Sequence, residues 1–167
     1  MTHARNDGNT AAKDEARTPP ELYCKIDKRF EFILDAACNR ENCLCFRGFF
    51  HDDNIDALKE DWNKASDGKA IWCNPPYSNP APFIKKSYEE SMKGCIVVML
   101  LPSDTSTRAF HEYCMNASEI IFLYPRVVFN RPDGTPMKGS PKFGSAIVVF
   151  SQIEFDGSPV ISSMSWK

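Results

Sequence analysis

The sequence predicts an α/β domain built on an open, mostly parallel sheet that ends in an antiparallel hairpin. Three observations carry that reading. Short apolar runs alternate with helix-like stretches along the chain. One run, Cys95 to Leu101, is apolar throughout, as a strand buried on both faces requires. The last apolar runs are joined by a Gly/Pro/Lys-rich loop, Asn130 to Gly144, with no helix between them. A length of 167 residues with 43% hydrophobic content suits one compact domain with short tails and excludes a large multidomain machine.

Each element follows from local pattern. Met1 to Arg17 has no apolar period and reads as a disordered tail, residues 1–17. Thr18-Pro19-Pro20-Glu21 reads as an N-cap, a first-turn proline and a capping-box acid, opening a helix through Leu22, Tyr23, Ile26 and Phe30. Phe32 to Asp35 is a strand, and the small pair Ala36-Ala37 turns the chain after it. A weaker strand reaches Phe50, followed by the acidic loop His51-Asp52-Asp53-Asn54 and a helix-like stretch from Ile55 to Trp62.

Ala70 to Cys73 is a strand broken at Asn74-Pro75-Pro76-Tyr77, where prolines remove ladder donors. From Pro82 to Lys93, Phe83, Ile84, Tyr88 and Met92 share one helical face, and Lys85, Lys86, Glu89 and Glu90 the opposite one. Gly94 ends that helix, and Pro102 stops the buried strand before a helix capped near Asp104 or Thr105. Strands are expected at Ile120 to Tyr124, Val127 to Phe129 and Ala146 to Phe150. The domain then covers residues 18–152, with 153–167 a C-terminal extension that carries Trp166; Trp62 and Trp72 read as core.

Charge narrows the function. The 22 acids nearly cancel the 20 bases, so no global polyanion-binding field exists and any nucleic-acid site must be a local basic patch. No apolar run approaches the roughly 20 residues of a spanning helix, and the polar start lacks a signal-peptide core, so a cytoplasmic protein without a membrane partner is expected. The 7 cysteines are odd in number and sit mostly in apolar segments, which suits reduced thiols. Cys38, Cys43 and Cys45 group tightly, but no second cysteine or histidine pair follows at zinc-finger spacing, so no metal is expected.

Ligands of an open parallel sheet bind beyond the carboxyl ends of its strands. Three such ends carry polar side chains: Asp35-Ala36-Ala37, Asn74-Pro75-Pro76-Tyr77 and Pro102-Ser103-Asp104. In the second, the prolines stiffen the backbone so that the Asn74 side-chain oxygen and the Pro75 carbonyl can face one donor group, while Tyr77 offers a ring for stacking. Two fixed acceptors suit an NH2 group. Holding a conjugated amine by both hydrogens aims its lone pair and offsets charge that develops on nitrogen when it attacks an electrophilic methyl.

With RTPPELY, FILDAAC, DALKEDW, IWCNPPYS, VVMLLPSDTSTRAFH and PMKGSPKFGSAIVVF in that order, the chain from Arg17 to Phe150 resembles the phage-type DNA adenine N6-methyltransferases. The resemblance implies a Rossmann-like methyltransferase sheet, S-adenosylmethionine as cofactor, and DNA as the partner, with no obligate protein partner and action in the host cytoplasm if phage-encoded. Asn74, Pro75, Pro76 and Tyr77 match the catalytic motif, which would hold the adenine N6 amine and stack on a flipped base. Asp35, Ala36 and Ala37 match the turn that cradles the methionine part, with Asp35 near its ammonium. Thr18, Pro19 and Pro20 match an element packed over the same cofactor, Asp56 looks like the acid at its adenine, and Phe50 like the apolar neighbour. Asp52 or Asp53 is an alternative seat for the ribose hydroxyls. The chain departs from the wider methyltransferase pattern in having Ala36, Ala37 and Cys38 where a glycine-rich turn would stand.

Between Arg126 and Lys142, the bases Arg126, Arg131, Lys138 and Lys142 face only Asp133, which makes this loop, with Ser78, the DNA-binding candidate. Arg108 and His111 read as an exposed helix face, since amine methylation needs no histidine. The same site chemistry would also serve an RNA adenine or a glutamine amide, and a non-catalytic nucleic-acid-binding protein would keep the fold without turnover.

Overall fold

A computed structural model describes Asp14 and residues 16–138, 142–153 and 155–167, with the side chain of Asp52 left aside. Most of the tail set apart at 1–17, and residues 139–141 of the basic loop, lie outside the described residues. In chain order the elements are α1 (Pro20–Phe30), β1 (Leu34–Cys38), β2 (Arg47–Phe50), α2 (Trp62–Ser66), β3 (Ile71–Cys73) and α3 (Ala81–Ser91). They continue as β4 (Val97–Pro102), α4 (Arg108–Glu112), β5 (Glu119–Tyr124), β6 (Ser145–Phe150) and β7 (Val160–Ser165), with 3-10 turns at His51–Asp53 and Cys114–Asn116. The strands form one seven-stranded sheet in the order β2-β1-β3-β4-β6-β5-β7. Among the described strands only β6 runs against the rest, pairing antiparallel with both β4 and β5. That is the expected parallel sheet with an antiparallel finish.

Strands buried on both faces need two apolar layers, and the sequence supplies both. Leu34, Ile71, Val97, Met99 and Leu101 pack on one face with Trp62, Ile84 and Phe110 of the helices. The alternate residues Trp72, Val98, Leu100 and Ile147 pack on the other with Leu22, Tyr23 and Ile26 of α1. The carboxyl ends of β1, β2 and β3 therefore open on one edge of a rigid sheet.

Five expectations are corrected. The capping box at Thr18 does not form: the helix starts at Pro20, Pro19 is its cap residue, and no side chain among the described residues caps it. A residue before proline is driven to extended geometry, so Pro19 cannot enter the helix and Thr18 falls one position too early. Asp35, Ala36 and Ala37 are not a turn but part of β1; the chain turns at Asn39, whose Oδ1 accepts from the backbone N–H groups of Glu41 and Asn42 at 2.9 Å. Val127 to Phe129 is no strand; Val127 and Phe129 are buried plugs, and Asn130 makes isolated bridges to Arg17 and Pro136. Residues 160–165 of the expected extension form the edge strand β7, parallel to β5, and Trp166 is buried with its indole N–H donating to the Pro125 carbonyl at 2.6 Å. Finally, Glu90 is wholly buried rather than on a solvated face, while Met92, assigned to the apolar face, is exposed past the helix end.

Candidate active site

The carboxyl edge encloses a cavity of about 600 Å3. Thr18, Pro20, Asp35, Ala36, Ala37, Asp56, Asn74 and Pro76 of the predicted site residues line it. Pro19 is buried outside the lining. Phe50 is also outside it: the Arg40 guanidinium sits over its ring at 4.9 Å, and Phe49 faces the cavity in its place. Successive strand residues point to opposite faces, so a one-residue uncertainty in register exchanged the two. Pro75 and Tyr77, with Asn74, instead border an adjoining space of about 10 Å3 that Asp14, Ala16 and Phe129 close.

Asp35 is a buried carboxylate whose oxygens, among the described residues, accept from backbone donors alone, Ala37 N and Leu44 N, both at 3.2 Å. Burial raises its pKa to about 6, although those two N–H groups pull the other way. An ammonium or other cation entering the cavity would therefore be strongly favoured beside it.

Asn74 begins at the end of β3, because Pro75 and Pro76 end the ladder there. Its Nδ2 donates to Thr18 Oγ1 at 3.2 Å, which fixes the amide orientation. Its Oδ1 is buried and accepts no hydrogen bond among the described residues. A buried unpaired acceptor costs about 1–3 kcal/mol, so this oxygen waits for a donor. Tyr77 donates to the Leu100 carbonyl at 3.5 Å, and its ring lies 5.5 Å from that of Phe129 and 5.8 Å from that of Phe143. Burial raises the Tyr77 phenol well above its ordinary pKa, so the ring is neutral.

The acids of the 50s divide. Asp56 is exposed at the cavity rim, its carboxyl held below the ordinary value by Lys59 at 3.0 Å and by Leu58 N–H. Asp53 is paired with Arg40 outside the lining, and the Asp52 side chain lies outside the described residues. Asp14 was not anticipated: its carboxylate accepts from Ser78 N at 3.0 Å and from Ser78 Oγ at 2.6 Å. Leu44, Ile55, Leu58 and Phe83 also line the cavity without having been singled out; nothing but their apolar character signals them.

The basic loop reaches this edge. Asn130 and Gly134 line the cavity mouth, Arg131 N donates to the Thr135 carbonyl at 2.8 Å, and Phe143 brings the far end of the loop to Tyr77. Lys138 and Lys142 are exposed, Arg131 is half-buried, and Arg126 lies exposed at the start of the loop.

An open α/β sheet whose cavity sits at the carboxyl edge, with an NPPY segment on its rim, is the build of a Rossmann-like methyltransferase. A family model described as DNA N-6-adenine-methyltransferase (Dam) matches residues 6–165, and the chain belongs to that family. It is 39% identical over 114 residues to the DNA N-6-adenine-methyltransferase of Escherichia phage T1, covering 68% of this chain and 46% of that one. It is 33% identical over 113 residues to the protein of the same name from Haemophilus phage HP1 (strain HP1c1), covering 66% of this chain and 62% of that one. The aligned stretches thus span less than two thirds of either relative.

Proposed function

We propose that this protein transfers a methyl group from S-adenosylmethionine to the N6 amine of adenine in DNA. The observation that carries this is Asn74: an amide held by Thr18 whose buried Oδ1 accepts no hydrogen bond among the described residues, next to a cavity of cofactor size. The residues fit the cofactor. Asp35 offers a buried carboxylate, without a cationic partner among the described residues, for its ammonium; Ala36 and Ala37 give small walls beside it, and Phe49 with Ile55 gives an apolar seat near Asp56. When bound, the cofactor supplies an electrophilic methyl.

The chain's own groups then act on the amine. Asn74 Oδ1 and the Pro75 carbonyl accept its two hydrogens, which aims the nitrogen lone pair and stabilises the positive charge that grows on it. Tyr77, held by Leu100, Phe129 and Phe143, presents its ring to the base. The proton released after transfer goes to solvent. A space of about 10 Å3 beside Asn74 and Tyr77 cannot admit a purine, so Asp14 and Ala16 must withdraw as a flipped base enters, freeing Ser78 for the DNA backbone. Arg131, Lys138, Lys142 and Arg126 flank that entrance. DNA in the host cytoplasm, reached without any spanning helix among the described residues, is the partner this reading requires.

The test is transfer of labelled methyl to unmethylated duplex DNA, with mass spectrometry of the digested nucleosides. N6-methyldeoxyadenosine from the wild type, reduced on the order of a hundredfold or more in Asn74→Ala, is expected. Label in RNA or protein but not in DNA, or full activity of Asn74→Ala, would overturn the reading.

A further inference from the structure

We propose that Asp35, Cys38 and Cys43 form a binding site for a soft divalent cation, zinc above all, whose occupation excludes the cofactor. The donors come from either side of one turn: Asp35 and Cys38 from β1, Cys43 from the loop that leads to β2. One carboxylate oxygen and the two Sγ atoms all lie within 4.8 Å of one another. All three residues line the cavity.

Gly48 makes the room. A Cβ at that position would stand 2.5 Å from Cys38 Sγ and 2.6 Å from Cys43 Sγ, so the sulfurs fill the space any other residue's side chain would take. Cys45 stays outside the set, its sulfur held by the Tyr23 hydroxyl at 3.3 Å.

The donor chemistry selects the ion. Two thiolates and one carboxylate suit zinc and disfavour magnesium or calcium, which want oxygen ligands. Tetrahedral zinc with Zn–S near 2.3 Å places its ligands about 3.8 Å apart, so the three donors need to close by at most about 1 Å, within the reach of χ1 rotation. The fourth position faces the cavity and takes water. Cys38 and Cys43 each release a proton to solvent as the ion binds, so affinity rises with pH.

Exclusion rests on the reading that Asp35 seats the cofactor ammonium, since one carboxylate cannot serve both. The probe is zinc alone, added to the chelator-treated full chain and followed by calorimetry. Cobalt as a substitute reports sulfur ligation through its thiolate charge-transfer absorption. One zinc per chain and a cobalt–thiolate band are expected, with affinity at least about tenfold weaker in Cys38→Ser and in Cys43→Ser. Cys24→Ser, at an exposed thiol, should bind as the wild type does. Zinc at ten times its Kd should weaken cofactor binding about tenfold in the wild type and not in the double variant. Zinc binding undiminished in the double variant, no thiolate band, or zinc and cofactor bound together without mutual effect would overturn the proposal. Cofactor binding is measured first in chelator, so its loss there contradicts the cofactor reading, while the zinc titration and cobalt band still decide the metal site.

Discussion

Two buried carboxylates, one satisfied by the fold and one left open at the cavity, show how structure and function divide this molecule. Glu90 on α3 is wholly buried and fully answered: Lys86 and Lys93 approach its Oε1 at 2.7 and 2.8 Å, and Asn63 N donates to Oε2 at 3.2 Å. Burial pushes its pKa up, but those hydrogen bonds outweigh it and the net direction is down. Asp35 on β1 is also deeply buried, has backbone donors only among the described residues, and is raised to about 6. The first clamps α2 to α3. Among the described residues the second lacks a side-chain partner, as does Asn74 Oδ1 at the same cavity, and the proposed cofactor and base would supply those partners.

Removing each group in turn sharpens the contrast. Asp35→Asn should weaken S-adenosylmethionine binding by about ten- to a hundredfold, the worth of a charge-assisted hydrogen bond, and should cost about 1–3 kcal/mol of stability, because the amide NH2 cannot accept from one of the two backbone N–H groups that the carboxylate holds. Thr18→Val should lower kcat about tenfold by freeing the Asn74 amide to turn, with cofactor affinity little changed, and Thr18→Ser should restore the rate. Equal loss in the serine variant would reduce Thr18 to a packing role. Replacing Arg131, Lys138 and Lys142 with Ala should flatten the salt dependence of DNA binding by about one unit of log-log slope for each phosphate no longer neutralised; an unchanged slope would place the DNA elsewhere. At the other carboxylate, Glu90→Gln should cost about 2 kcal/mol of stability in denaturant unfolding yet leave cofactor affinity within about twofold of the wild type.

The parallel strands, the antiparallel pairing of β6 and the end of β3 at Asn74 were legible because each rests on local pattern: continuous apolar runs, a helix-free connection, and prolines that end a strand. What was hidden depends on partners distant in sequence. Thr18 looked like a helix cap because the helix follows at once; its bond to Asn74 spans the fold. Glu90 looked solvated because helical period alone put it opposite Phe83 and Ile84; its lysine partners are local, but nothing local signals that Asn63, 27 residues away, closes over it. Phe49 and Phe50 could not be ranked without strand register. Strand β7 was missed because an edge strand with its side chains mostly exposed shows no alternation of apolar and polar residues.

Calorimetry of S-adenosylmethionine binding against pH, in chelator, compares the wild type, Asp35→Asn and Glu90→Gln most directly. A carboxylate whose pKa is raised to about 6 is ionised above that value and protonated below it, so wild-type affinity should be level near neutral pH and fall about tenfold per unit below about 6. Glu90→Gln should follow the same curve, and Asp35→Asn should be weak and flat. Cofactor binding in Asp35→Asn as tight as in the wild type would contradict the claim that the unanswered carboxylate of β1 is the cofactor's seat.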